Sequence, residues 1–231
     1  MELSHIDRNV AEVRRRIARA AEASGRDAED ITLMAAVKYV DIDSINYLIT
    51  HCGVRDIGEN RVQQLTERWD KLERDDVRVH FIGSLQTNKV KYIVDKVCMI
   101  HSVDSLRLAQ EIQKQCEKRD IIMDVLVEIN SGREENKTGV LPEEAEVLCL
   151  EIAKMPNLRL RGFMTMAPKC QNDAEYEKYF NETYNLIIDI WKKKLYNIER
   201  PIISMGMSGS FEAAVRCGST CVRVGSLLFA E

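Results

Sequence analysis

Apolar positions along this chain recur with two periods that alternate from end to end. Ile6, Val10, Val13 and Ile17 fall at helical spacing, so the chain is expected to begin with an amphipathic helix that Gly25 closes. The Arg14–Arg16 run then lies mostly on the solvated side of that helix. From residue 31 onward, short apolar runs take turns with helical stretches. ITLMAAV (31–37) is the first predicted strand, with a helix over about 42–52 behind it. VRDIG (54–58) precedes ENRVQQLTERWDKL, VHFIG (79–83) precedes a helix around TNKVKYIVD, and VCMIHSV (97–103) precedes SLRLAQEIQKQCEKR. IMDVLVEIN (122–130), richest in branched residues, is followed by a helix that opens at Pro142. RLRGFMTM (159–166) leads into the longest helix, roughly 173–195. PIISMG (201–206) leads into a short helix over FEAAVRC, and TCVRVG (220–225) ends on a brief LLFAE tail.

Each run is short, bounded by turn residues and separated from the next by a helical stretch, the pattern of parallel strands joined by crossover helices. Eight such units, with no linker or low-complexity tract between them, predict a closed (β/α)8 TIM barrel with an extra N-terminal helix, occupying residues 1–231 as a single domain. An open doubly wound sheet is the rival arrangement. On the long helix, Tyr176, Phe180, Tyr184, Ile187, Ile188 and Trp191 share one face and are expected in the core. Lys192–Lys194 sit near its C-terminus, where positive charge suits the helix dipole.

Composition narrows the function classes. The chain has 231 residues, 45% hydrophobic and 30% charged, with only 4 Pro and 11 Gly, which excludes collagen-like, mucin-like and largely disordered chains. Its 33 Lys+Arg against 37 Asp+Glu give a formal charge of −4, whereas a general nucleic-acid or acidic-membrane binder is basic, so neither partner is expected. No apolar run approaches the ~20 residues that span a bilayer. MELSHIDRNVAEVRRRIARA lacks the apolar segment of an export signal, so a cytoplasmic location is expected. The 7 cysteines are odd in number and scattered, with no CxxC pair and no His cluster beside them. They read as reduced structural thiols and not as disulfides or zinc ligands, and no metal is expected. A redox role stays open for Cys217 and Cys221, the two expected nearest the candidate site.

In a barrel of this kind, active groups sit at the C-terminal ends of strands, and phosphate is often held after strands 7 and 8. Ser204-Met205-Gly206-Met207-Ser208-Gly209-Ser210 follows the seventh strand and runs straight into a helix, and Arg223-Val224-Gly225-Ser226 closes the eighth. Small residues let backbone N–H groups approach a phosphate; ordinary helix capping by Ser and Gly is the competing explanation. Lys38 ends the first strand, which neighbours the eighth when the barrel closes. A lysine there, partly desolvated beside other positive groups, suits Schiff-base formation with an aldehyde; otherwise it is a surface lysine. Arg223, inside an otherwise apolar strand, needs either an interior carboxylate or a cofactor ring nitrogen as partner. Asn60, after the second strand, is a helix cap or a ligand, and His80 and His101 read as satisfied core residues. No GxSxG, Walker A, GxGxxG or HExxH pattern is present.

Taken together, AAVKYV, DIGENRVQQL, VHFIGSLQTNKVKYI, IHSVDS, EINSGREENKTG, LRGFMTMAP, SMGMSGSFEAAV and GSTCVRVGSLLF run in order from about Lys38 to Phe229 and resemble the pyridoxal phosphate homeostasis protein family. That resemblance implies a single barrel like the N-terminal domain of alanine racemase, with pyridoxal 5′-phosphate (PLP) as cofactor. It implies Lys38 as the lysine of the internal aldimine, Ser208 and the Gly225-Ser226 backbone as phosphate contacts, and Arg223 as the partner of the pyridine nitrogen. Asn60 and the Met164–Met166 strand end would lie near the ring. Two positions depart from the family pattern. Val37 stands where Ser is frequent, which would alter packing beside the aldimine, and Ser210 stands where an acidic residue is frequent, which would alter helix capping.

The resemblance further implies a protein of intracellular PLP (vitamin B6) and amino-acid homeostasis that buffers or carries PLP without catalytic turnover, so no residue is assigned a catalytic role. Its partners beyond PLP would be PLP-dependent apo-enzymes, and it would be a monomer or weak dimer. An arginine against the ring nitrogen weakens the cofactor as an electron sink. The length after strand 8 is expected to leave no second, mainly β domain of the kind racemases of this fold carry, and so no opposing acid or base. The alternatives are a minimal PLP-dependent amino-acid racemase completed by another subunit, and a PLP-free Schiff-base aldolase using Lys38 on a phosphorylated sugar.

Overall fold

The computed structural model describes residues 3–193 and 200–231. Helix α1 (Ser4–Ala23) buries Ile6, Val10, Val13 and Ile17, as their spacing predicts. Arg14 and Arg15 stay in solvent, while Arg16 turns back to pair with Glu212. Eight strands follow: β1 (Thr32–Ala36), β2 (Asp56–Glu59), β3 (Arg78–Phe81), β4 (Met99–Val103), β5 (Met123–Ile129), β6 (Leu158–Thr165), β7 (Ile202–Ser204) and β8 (Cys221–Val224). They pair in parallel and in chain order, and β1 pairs with both β2 and β8, so the sheet closes on itself. This is the predicted TIM barrel, and the open sheet is excluded.

The connecting helices are α2 (Ile42–Thr50), α3 (Val62–Arg68), α4 (Leu106–Glu117), α5 (Ala145–Ile152), α6 (Asp173–Lys192) and α7 (Phe211–Arg216). Three elements differ from the sequence expectation. The TNKVKYIVD stretch forms a 3-10 segment, Thr87–Tyr92; Val90, Ile93 and Val94 are buried as a helical face would bury them, but barely two turns are too short to fix a regular helix. The helix expected at Pro142 opens as a 3-10 turn, Pro142–Glu144, and becomes α-helical at Ala145. The tail folds into a short helix, α8 (Ser226–Phe229), whose Leu228 is buried. On α6, Phe180, Ile187 and Trp191 enter the core and Tyr176 and Tyr184 pack against it, whereas Ile188 lines a cavity at the N-terminal mouth of the barrel. The end of the long helix expected at 194–195, with Lys194, lies outside the described residues. No helix among the described residues is long and apolar enough to cross a membrane.

Period-two alternation sorts the strand residues into two spaces. Ala35, Ile57, Phe81, Ile100, Val127, Phe163, Ile203 and Val222 face the helices in one continuous apolar core. Their neighbours face the barrel axis. Met34, Ile82, Met99, Leu126 and Met164 make two small apolar clusters there, and Asp56, His80, His101, Glu128, Ser204 and Arg223 are buried beside them.

Candidate cofactor site at the C-terminal mouth of the barrel

Val37 is fully buried in the outer apolar core, and its N–H donates to the Gly58 carbonyl at 3.1 Å. The expected effect of Val37 on packing beside Lys38 is therefore not found, because its side chain points away from the axis. Lys38 is the next residue, carried to the rim of the mouth just beyond β1, and the left-handed Tyr39 (φ 62°) then turns the chain aside. Lys38 is exposed, not partly desolvated as expected, because it sits on the short connection to α2 and not within the strand. Its Nζ has no hydrogen bond or ion pair among the described residues and lies 5.0 Å from the Tyr39 ring. The Arg61 guanidinium stands 4.8 Å from that ring. The amine is thus uncommitted.

The loops after β7 and β8 are tied into one cradle. The Gly225 N–H donates to Ser208 Oγ at 3.2 Å, which leaves the Ser208 hydroxyl proton available. Gly206 holds φ +93°, and a Cβ on it would come within 2.5 Å of Ala214 Cβ, so only glycine lets the loop fold onto α7. A Cβ at Gly225 would lie 2.8 Å from the Ala36 carbonyl oxygen, and glycine there brings the end of β8 against the end of β1, two residues from Lys38. Ser210 braces the loop: its Oγ accepts from the Met207 N–H at 3.2 Å, and Ser210 N–H and Phe211 N–H both donate to the Met207 carbonyl. As N-cap of α7 it makes no side-chain cap bond, so its role is within the loop. The backbone N–H groups of Ser208, Gly209 and Ser226 have no acceptor among the described residues. The two linked loops thus leave three N–H donors and a hydroxyl without an acceptor among the described residues, donors of the kind an anion takes.

Arg223 lies beneath this cradle. It is 4% exposed, and no carboxylate among the described residues stands within ion-pair distance of it. The interior carboxylate partner is thus not found; Nη1 donates to Ser204 Oγ at 2.7 Å and Nη2 to the Thr165 carbonyl at 2.9 Å. Burial depresses its pKa from the ordinary arginine value, which marks the cost of keeping this cation out of water. Asn60 sits past β2 at the level of Lys38, since Ala36 pairs with Gly58 in the ladder. Its side chain has no hydrogen bond among the described residues, and the N-cap of α3 is Arg61, so Asn60 is not a helix cap. Met164 is buried among interior apolar residues, while Met166 is exposed at the rim.

The structure also corrects the placement of two thiols. Cys221 opens β8 and Cys217 follows the C-terminal end of α7, so both lie toward the N-terminal face, away from Lys38. Burial pushes each thiol up to about 11, which keeps it protonated and unreactive. Glu128 was missed by sequence reasoning. It is buried inside β5, its Oε1 accepts from Thr138 Oγ1 at 2.6 Å, and its Oε2 has no partner. Burial and the nearby Asp104 raise its pKa, while Arg223 acts the other way. The only signal in the sequence is a charged residue within an apolar strand.

A ligand with a phosphate, an aldehyde and an aromatic nitrogen would meet the free N–H groups and the unpaired Lys38 amine at the rim, and the buried Arg223 beneath them. This is the chemistry expected of a lysine-bound phosphopyridine site on a barrel, and the chain belongs to the alanine racemase N-terminal domain family, whose model matches residues 1–231. Within that family it groups with the pyridoxal phosphate homeostasis proteins. It is 41% identical to the one from Aquifex aeolicus over 222 residues, covering 96% of each chain, and 33% identical to that of Escherichia coli K12 over 231 residues. PipY of Synechococcus elongatus, solved with PLP bound, matches with a TM-score of 0.77 at 26% identity, over 93% of this chain and 100% of that one. Alanine racemase of Corynebacterium glutamicum shares the fold, with a TM-score of 0.70 at 16% identity, and this chain covers 60% of it.

Proposed function

We propose that this chain binds pyridoxal 5′-phosphate as one domain over residues 1–231 and acts in intracellular PLP and amino-acid homeostasis, holding the cofactor on Lys38 without turnover. The observation that carries the reading is the donor set at the mouth, where an uncommitted amine and a set of free N–H groups lie at the rim above a buried guanidinium. When bound, PLP supplies an aldehyde. The Lys38 amine condenses with it, releasing water and forming a Schiff base. Ser208 and the backbone at Gly225 and Ser226 receive the phosphate, and Asn60 flanks the ring. Arg223 donates to the ring nitrogen and, as a lasting cation, leaves that nitrogen unprotonated, which weakens the electron sink that amino-acid chemistry needs. The exposed position of Lys38 gives water access to the linkage, which suits reversible loading and delivery to PLP-dependent apo-enzymes. Glu128 favours a second reading, a minimal racemase, because a buried carboxyl with raised pKa is a candidate proton carrier.

The test is an absorbance spectrum of the purified protein before and after borohydride, with peptide mapping of the modified lysine. The expected result is label at Lys38 and loss of the cofactor band in Lys38→Ala, and label elsewhere overturns the assignment. Lys38-dependent racemisation of an amino acid above free PLP would establish the second reading instead.

A further inference from the structure

The buried polar side chains inside the barrel form one continuous chain. Arg223 Nη1 donates to Ser204 Oγ at 2.7 Å, and Ser204 Oγ lies 3.2 Å from His101 Nδ1. His101 Nε2 lies 3.1 Å from His80 Nδ1, and His80 Nε2 lies 2.9 Å from Asp56 Oδ1. Arg78 closes the far end with two bonds to the Asp56 carboxylate, at 2.8 and 2.6 Å. Every member from Arg223 to Asp56 is less than 10% exposed, whereas the Arg78 side chain is 62% exposed at the N-terminal mouth. The chain therefore runs from the ring-nitrogen site to the opposite end of the barrel.

Its hydrogen-bond direction follows from the charges. The Asp56 carboxylate only accepts, so His80 Nε2 carries a proton. Arg78 is already paired with Asp56, and in the neutral tautomer that donates from Nε2, His80 Nδ1 is an acceptor. His101 then donates from Nε2 and accepts at Nδ1, and the proton of Ser204 points to it. Burial, together with His80 and Arg223, holds the His101 pKa well below the ordinary histidine value, in keeping with a neutral ring. The guanidinium of Arg223 can only donate, so Ser204 Oγ is left as its acceptor. Every bond points the same way, from Arg223 toward Asp56, and bonds so aligned polarise one another.

We propose that Asp56, His80 and His101 are positioning residues for the ring-nitrogen site: they fix Ser204 as an acceptor and hold an aligned relay of hydrogen bonds, anchored on Asp56, against a buried Arg223 that has no carboxylate of its own among the described residues. The inference rests on the reading of Arg223 as the partner of the cofactor nitrogen. Its first test is independent of PLP. Nuclear magnetic resonance of the full chain labelled with ¹⁵N-histidine should show the Nε2-protonated neutral tautomer at both His80 and His101. A doubly protonated His80, or a proton on His101 Nδ1, overturns the relay.

The second test uses the loaded protein. His101→Leu should weaken PLP binding about tenfold, the upper end of one neutral hydrogen bond, and move the absorption maximum of the bound cofactor. His101→Gln, which can accept and donate at the same two points, should restore most of both. Asp56→Asn, at the far end, should move the maximum the same way as His101→Leu. Folded His101→Leu and Asp56→Asn proteins with wild-type affinity and spectrum would refute the relay, and if His101→Leu does not fold, Asp56→Asn and the tautomers decide. A wild-type protein without PLP on Lys38 would instead remove the proposed function, leaving the tautomer result to stand by itself.

Discussion

The layer between strands and helices and the space within the strands are built from opposite materials. Outside, Phe163 meets Trp191 edge-on at 6.2 Å, and Ile57, Leu65, Phe180 and Phe211 continue the same apolar core around the ring. Inside, apolar residues fall into two small clusters, and the rest of the axis holds hydrogen-bonded charges and imidazoles. Apolar burial contributes about 25 cal/mol per Å², while a buried polar network returns little net stability after desolvation. The difference teaches a division of labour: the outer layer holds the barrel closed, and the inner column supports the side chains of the candidate site at the mouth.

The sharpest way to break this comparison is Phe163→Ala. Phe163 is fully buried in the outer layer, and its loss should cost about 3–5 kcal/mol, measured by denaturant unfolding. A cost under about 1 kcal/mol would mean that the outer layer does not carry the fold.

Gly206→Ala acts where the two spaces meet, and its effect should be smaller, about 2–4 kcal/mol. Its new Cβ would lie 2.9 Å from the Phe211 Cα as well as against Ala214, so α7 must move and the cradle with it. PLP retention, read by equilibrium dialysis, should fall far more than stability does. Unaltered retention in a folded variant would show that the phosphate lies elsewhere.

The same division explains what the sequence made legible. The outer layer was readable because each strand and helix states its own period locally; Ile6 to Ile17 and Phe180 to Trp191 need no knowledge of their neighbours. That Lys38, Ser208, Gly225 and Arg223 come to one end of the barrel was readable because closure alone brings β1 beside β8. The inner column was not. His101 meets Ser204 across 103 residues and His80 meets Asp56 across 24, so each looks like a stray polar residue until the register is known. Cys221 misled for a related reason: two residues along β8 from Arg223 is about 7 Å toward the other mouth.

Glu59 sharpens the comparison, because it is a carboxylate on the outer side of the barrel. It is 1% exposed, pairs with Arg68 at 3.2 Å and leaves Oε2 without a partner. Burial outweighs Arg68 and raises its pKa to about 7 from 4.5. The folded state therefore holds a proton that the unfolded state releases over that range, so the contribution of Glu59 to stability is greatest below about pH 4.5 and is lost as pH rises to 7. Glu59→Gln should remove this decline and gain about 1–2 kcal/mol at pH 8, seen by unfolding at several pH values. A variant that follows the wild-type pH profile would show that Glu59 ionises at no cost in the fold.

The smallest expected effect belongs to Asn60. Its side chain bonds to nothing among the described residues, so Asn60→Ala should change stability by no more than about 0.5 kcal/mol. Its backbone is another matter, since Gly83 packs so closely on it that a Cβ there would fall 2.1 Å from the Asn60 carbonyl oxygen. That contact survives the substitution and keeps the rim in place. Any change in PLP binding then reports the amide alone, and one neutral hydrogen bond to the cofactor predicts a loss of about three- to tenfold. Wild-type binding in Asn60→Ala would strike Asn60 from the site while leaving Lys38, Ser208 and Arg223 untouched. A clear loss of stability would place Asn60 with the outer layer, among the residues that hold the barrel and not among those that hold the ligand.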